Sequence, residues 1–211
     1  MTQPSTNGGT PASSGRTPAQ GNRLDPWYDV YADRAHNLRA SEIRALFSVV
    51  SRPEVVSLAG GMPNLKDLPL DKLAASAEKL VRNHGAQAMQ YGSGQGWEVL
   101  RERITEVMSY DGIIGADPDD VVVTTGSQQA LDLVTELFVN PGDVILAEAP
   151  SYVGALGVFR ARQADIVHVP MDEHGIIPEA LEETIRSVRA SGRTIKFIYI
   201  IPNYHNPAGV T

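Results

Sequence analysis

Val121 to Ile201, VVVTTGSQQALDLVTELFVNPGDVILAEAPSYVGALGVFRARQADIVHVPMDEHGIIPEALEETIRSVRASGRTIKFIYII, decides the fold. Four short runs rich in β-branched and aromatic residues stand out in it: Val121–Thr124, Val144–Ala147, Asp165–Val169 and Ile195–Ile201. Between them lie three stretches with apolar residues at helical spacing, Ser127–Val139, Ser151–Arg162 and Pro178–Ala190. Asn140-Pro141-Gly142-Asp143 and Gly192 are the breaks a turn and a helix end require. Strands alternating with helices predict an α/β fold, a mostly parallel, doubly wound sheet covered on both faces. Ligands on such sheets bind where the strands end at their carboxyl side, so the segments after each strand are the place to look for chemistry.

Three of those segments carry suitable groups. Thr125-Gly126-Ser127-Gln128 puts a glycine and a hydroxyl at a helix start, where free amides and the positive dipole end favour a phosphate; Ser127 acting only as an N-cap is the plainer alternative. Ala149-Pro150-Ser151-Tyr152 offers an aromatic ring for stacking on a flat ligand, or an ordinary buried tyrosine. In Pro202-Asn203-Tyr204-His205-Asn206-Pro207-Ala208-Gly209, the Asn206 amide can donate to a ligand oxygen, or the segment is simply a turn.

Towards the N-terminus, Leu73, Ala77, Leu80 and Val81 share one helical face in a helix that Gly85 is expected to end, and Trp97, Leu100, Ile104 and Val107 share another, ended by Gly112. Ser41 is placed to cap a helix over 42–50, and Val55–Leu58 reads as a short strand. Residues 1–22 hold three Pro, four Gly and seven Ser or Thr against three apolar residues, too little burial to offset ordering, and predict a disordered tail. The expected organisation is a tail at 1–22, an N-terminal arm with small-domain elements at 23–88, and an incomplete large domain at 89–211.

Composition narrows the partners. With 25 acidic and 18 basic residues among 211, the net charge of −7 argues against a general nucleic-acid binder. The absence of cysteine excludes disulfides and thiolate chemistry. No run reaches the roughly 18 apolar residues of a membrane span, and residues 1–22 lack the apolar core of a secretory signal. A soluble, cytoplasmic protein is the expectation. The five histidines show no close metal-binding pairing, Asp117-Pro118-Asp119-Asp120 lacks the glycine and glutamate of a calcium loop, and neither Ser127 nor Ser151 sits in G-x-S-x-G.

Leu58-Ala59-Gly60-Gly61-Met62-Pro63, Gln90-Tyr91-Gly92, Thr125-Gly126-Ser127-Gln128-Gln129-Ala130-Leu131, Ala149-Pro150-Ser151-Tyr152 and Asn206-Pro207-Ala208-Gly209 follow one another along the chain. In that order they resemble fold-type I pyridoxal-phosphate aminotransferases, most closely the class I/II branch of 2-aminoadipate and kynurenine aminotransferases. The resemblance covers about Ser41 to Thr211. It implies pyridoxal 5'-phosphate as cofactor, an L-amino acid and a 2-oxo acid as substrates, and a homodimer. Carried onto matching positions, it implies that Gly126, Ser127 and Gln128 hold the cofactor phosphate and that Tyr152 stacks on the pyridine ring. Asn206 would bond the ring's phenolic oxygen and lie near the substrate carboxylate. Tyr91 would reach the neighbouring subunit's site, Arg44 would contact the substrate side chain, and Gly61 would let backbone approach the substrate. His205 stands where glutamine is frequent in the family.

Such enzymes need a lysine to anchor the cofactor and carry the proton. The four present, Lys66, Lys72, Lys79 and Lys196, all precede the Asn206 turn, whereas the family places its Schiff-base lysine after it. The expectation is therefore an N-terminal part of a longer enzyme, lacking the C-terminal domain, inactive by itself, with no catalytic residue of its own and the lysine beyond Thr211. Two alternatives are an aminotransferase-like sensor domain of a transcription regulator, which would need a basic DNA-binding module ahead of Ser41, and a nicotinamide-dinucleotide protein. Gly92-Ser93-Gly94-Gln95-Gly96 hints at the latter but departs from G-x-G-x-x-G.

Overall fold

The computed structural model describes residues 25–36, 54–56 and 65–211. The chain divides into two units, Met1–Leu38 and Arg39–Thr211. The tail, the helix expected over 42–50, Arg44 and Gly61 lie outside the described residues; of the strand expected at Val55–Leu58, only Val55 and Val56 are described, and neither is in a strand. In the first unit a 3-10 turn, Tyr28–Val30, leads to the single turn α1 (Asp33–His36). The Tyr28 and His36 rings sit 4.7 Å apart.

The second unit runs α2 (Leu70–Ala88), α3 (Glu98–Tyr110), a 3-10 turn (Pro118–Asp120) and α4 (Ser127–Phe138). There follow β1 (Val144–Ala149), α5 (Val153–Ala161), β2 (Asp165–Asp172), β3 (Gly175–Ile176), α6 (Pro178–Ala190) and β4 (Ile195–Tyr199). The sheet order is β3-β2-β1-β4. β1 is parallel to both neighbours, with Ile145 opposite Ile166 on one side and Phe197 on the other. β3, a two-residue return antiparallel to β2, had no clear signal in the sequence.

Burial explains the centre of the sheet. Val144, Ile145, Leu146 and Ala147 are fully buried, as expected of a continuous apolar run that is covered above and below. Ile145 and Ala147 point to the face packed by α5, with Val139, Ala155, Leu156, Val158 and Phe159. Val144 and Leu146 point to the opposite face, with Val169 and Val188 of α6. Helices on both faces of a parallel sheet, with β2 and β4 on either side of β1, make the doubly wound arrangement the sequence predicts.

The structure changes three expectations. Val121–Thr124 is not a strand of this sheet. It does not pair with the sheet at the open edge of β4 either; the Val123 N–H donates to Gln95 O at 2.8 Å. That contact brings the glycine loop close: a Cβ on Gly96, whose φ is +101°, would lie 2.6 Å from the Val123 Cβ. Second, α2 does not stop at Gly85 but bends at His84 (φ −135°) and continues to Ala88. The bend falls one residue before Gly85, and a single glycine inside a helix costs only about 1 kcal/mol, too little to end it outright. Third, the apolar stripes of α2 and α3 form helices but are not covered within the described residues: Leu73, Val81, Trp97 and Val107 are each at least half exposed.

An ion-pair clip joins α4 to α5. Arg162, just past the end of α5, reaches Asp132 with Nε at 2.9 Å and Nη2 at 2.8 Å, and Nη2 also meets Glu136 at 2.9 Å. The fork-shaped guanidinium donating to Asp132 holds that carboxyl below its ordinary range, against an opposing effect of burial. A carboxylate depressed in the native state adds stability in full above its unfolded value of about 4, and that contribution is lost as the pH falls through the native value. Asp132→Asn is therefore expected to lower the melting temperature by about 2–4 °C at neutral pH, and the two proteins should converge as the pH falls through the depressed native value. Thermal melts across that range check it; a difference that persists unchanged in acid would assign the effect to packing.

Candidate functional site

β1 and β4 lie side by side and run the same way, so the segments leaving their carboxyl ends emerge together. A cavity of about 530 Å³ is lined by Ser127, Ala130, Leu131 and Val134 of α4, by Tyr152 and Phe159, and by Phe197, Ile198 and Tyr199 of β4. It is mostly apolar, with Ser127 at the start of a helix and two phenols bordering it. Burial chiefly, then Tyr152 and the Glu148 carboxylate, push the Tyr199 phenol above its ordinary range.

The start of α4 is a glycine-capped helix end. Gly126, not Ser127, occupies the N-cap, with φ +77° and ψ 170°, a conformation glycine adopts without strain. The first turn of α4 carries no acidic residue, as in α5, whereas α2, α3 and α6 place Asp71, Glu98 and Glu179 in theirs; no side-chain hydrogen bond caps any of these five helices. The first-turn amides and the positive dipole end therefore have no carboxylate of their own helix turn to balance them. The loop before them is fixed by its own chain: Thr125 N–H donates to Gln129 Oε1 at 2.5 Å, and Thr124 Oγ1 to Gly126 O at 3.1 Å. Gln128 Nε2 reaches across to Gly154 O at 3.4 Å, linking the helix start to the segment that bears Tyr152.

The structure thus brings Ser127 and Tyr152 to one cavity, with Gly126 and Gln128 at the helix start beside it. Asn206 is exposed in the turn after β4 and does not line that cavity. Tyr91, 96% exposed, lines a separate cavity of about 720 Å³ with Ser93, Trp97 and Arg101. The glycine loop at 92–96 follows α2 and a turn rather than a strand, so it lacks the strand-turn-helix setting of a dinucleotide loop. Among the described residues no cluster of His, Cys, Asp and Glu is suited to a metal, and no helix is long and apolar enough to cross a membrane.

Sequence reasoning missed Phe197, Ile198 and Tyr199 as cavity walls, because a continuous apolar run does not show which side chain faces which way. It also assigned no role to Glu148. The available signal was a lone charge inside the otherwise apolar Val144–Ala149.

Residues 53–211 match the family model described as Aminotransferase class I and II. The chain belongs to that family. It is 39% identical over 181 residues to the aromatic-amino-acid aminotransferase 1 of Thermococcus litoralis, covering 86% of this chain and 43% of that protein. It is 38% identical to the 2-aminoadipate transaminase of Thermus thermophilus, covering 87% and 43%. Among solved structures, the kynurenine aminotransferase of Pyrococcus horikoshii, in complex with PMP, superposes with a TM-score of 0.81 at 35% identity over 90% of this chain and 47% of that one. The chain therefore spans less than half the length of these relatives. The aminotransferase fold expected from the sequence is the fold observed, and the cofactor of the family is pyridoxal phosphate, of which PMP is the amine form.

The aminotransferase platform fits that cofactor. A phosphate matches a helix start that lacks a capping side chain and first-turn acids, and a flat aromatic ring matches an apolar cavity bordered by Tyr152.

Proposed function

We propose that this chain is the cofactor platform of an enzyme that passes an amino group from an L-amino acid to a 2-oxo acid by way of pyridoxal phosphate. The observation that carries the reading is the presence of Ser127, at an acid-free helix start, and Tyr152 in the walls of one cavity at the carboxyl side of β1 and β4. The cofactor, when bound, supplies the electron sink that makes removal of an α-proton feasible. The Gly126–Gln128 amides and the Ser127 hydroxyl hold the phosphate, and the Gln128 side chain braces that helix start against the Tyr152 segment. The Tyr152 ring covers one face of the cofactor ring and excludes water from it. Asn206 donates to the ring's phenolic oxygen and, with Arg44 and Gly61, borders the substrate.

The proposed functional unit is a cytoplasmic homodimer in which Tyr91 serves the partner subunit's site. Its 96% exposure and the uncovered apolar stripes of α2 and α3 support a surface that another chain covers. The proposed domain boundaries remain 1–22, 23–88 and 89–211.

None of the four lysines lines the Ser127–Tyr152 cavity. Lys196 opens β4 at the opposite end of the strand, 3.3 Å from Asp143 Oδ2. We therefore place the anchoring lysine in sequence that follows Thr211 in the whole protein, and expect this chain alone not to turn over substrate. Borohydride reduction of the full-length gene product with pyridoxal phosphate, followed by peptide mapping, tests this. The label is expected on one lysine after residue 211, with amino-group transfer between an amino acid and 2-oxoglutarate in the unreduced enzyme. A label on Lys196, or none, overturns the assignment.

A further inference from the structure

A buried pair anchors the turn that follows β4. His205 and Glu148 are 2% and 3% exposed. His205 Nε2 lies 3.1 Å from Glu148 Oε2, and the same oxygen accepts the Ile201 N–H at 2.9 Å. On the other side of the ring, His205 Nδ1 accepts the Ala208 N–H at 3.3 Å. A ring nitrogen that accepts carries no proton, so the hydrogen of the neutral ring is on Nε2 and is donated to the carboxylate. The main chain closes the turn around this ring: His205 N–H donates to Val210 O at 2.9 Å, and Gly209 N–H to His205 O at 2.6 Å.

Position gives the pair its consequence. Glu148 lies near the carboxyl end of β1, four residues before Tyr152, and His205 immediately precedes Asn206. One carboxylate therefore ties the strand leading to the stacking ring both to the chain leaving β4, through Ile201, and to the turn presenting Asn206, through His205. A buried carboxylate is costly unless donors meet it, so the two segments are held in one arrangement rather than allowed to slide. The imidazole offers a donor at one end and an acceptor at the other, which an apolar residue of similar size lacks.

We propose that Glu148 and His205 are positioning residues that set the Asn206 turn relative to Tyr152, and so determine how Asn206 meets the cofactor. This rests on the function proposed above. Neither residue touches the reacting atoms in this proposal; both act through Asn206.

The test uses the full-length gene product and pyridoxal phosphate itself. Nitrogen-15 NMR of the imidazole should show the Nε2-protonated tautomer for His205, and an Nδ1-protonated ring overturns the inference without reference to the cofactor. His205→Leu and Glu148→Leu, each of which removes the hydrogen bond between the two side chains, are expected to weaken pyridoxal-phosphate binding by about tenfold or more and to shift the absorption band of the bound cofactor, because the turn is misplaced. His205→Gln, whose amide supplies both a donor and an acceptor, is expected to restore affinity and band to near wild type. Wild-type affinity and band in folded His205→Leu would sink the proposal, as would failure of His205→Gln to rescue. Should His205→Leu not fold, Glu148→Leu against His205→Gln carries the same comparison. If the wild-type protein binds no pyridoxal phosphate, the proposed function falls instead, and the tautomer still reports on the pair.

Discussion

Phe159→Ala is expected to lower the unfolding free energy by about 3–5 kcal/mol, a large share of the roughly 5–15 kcal/mol that holds an ordinary domain folded. Phe159 is fully buried on the inner face of α5 and is among the largest buried side chains of the second unit. Its ring meets the Phe197 ring edge-on at 5.8 Å and 72°, and the Tyr199 ring at 5.4 Å and 75°. Those contacts join α5 to β4 across β1, so the loss combines the transfer of a large apolar group with the geometry of two aromatic pairs. Phe159 also lines the cavity beside Ser127 and Tyr152, and truncation would open that wall. Urea denaturation followed by circular dichroism measures the change. A loss below about 1 kcal/mol would mean that the aromatic cluster contributes little to holding the sheet to its helices.

Gly154→Ala is expected to leave the fold intact and to weaken cofactor binding. Gly154 lies in the first turn of α5, where alanine is the better helix former by about 1 kcal/mol. A Cβ there would stand 2.6 Å from Tyr152 Cε1 and closer still to its Cζ and Oη. The ring is the free end of a side chain, so it would turn aside rather than strain the backbone, and the stacking surface would be lost from its place in the cavity. An aromatic stack contributes about 0.5–1.5 kcal/mol beyond burial, so affinity for pyridoxal phosphate should fall by up to about tenfold. Tyr152→Ala should match it, while Tyr152→Phe, which keeps the ring, should stay near wild type. Fluorescence titration with the cofactor, paired with melting curves, separates binding from stability. Unchanged affinity in a folded Gly154→Ala variant would remove Tyr152 from the proposed site.

Both expectations depend on how side chains from distant segments meet, and there the sequence is least informative. The order of five motifs, Leu58–Pro63, Gln90–Gly92, Thr125–Leu131, Ala149–Tyr152 and Asn206–Gly209, was enough to name the family and the cofactor. It did not show that Tyr199 would share a cavity with Tyr152, because the run Phe197–Ile201 is apolar on both faces of its strand. Arg162 shows the same limit: nothing local distinguishes it from a solvated charge at a helix end, yet it clips α5 to two acids of α4, 30 and 26 residues away. By contrast, Arg186 bonds Glu182 and Glu183 one turn back on α6, a contact set by helical spacing alone.

What the sequence determined by itself are the elements governed by local rules. Helical spacing and the Pro178 start defined α6 to the residue, and the apolar run Val144–Ala147 read correctly as a strand of a mostly parallel sheet. Tertiary structure decided which runs pair and which charges meet. Val121–Thr124 has a strand's composition but no place beside β1, whose two edges are filled, and hydrogen bonding is a contest between segments that composition cannot referee. Glu148 and His205, 57 residues apart, become a pair only because β1 and β4 run side by side, and burial makes that contact matter.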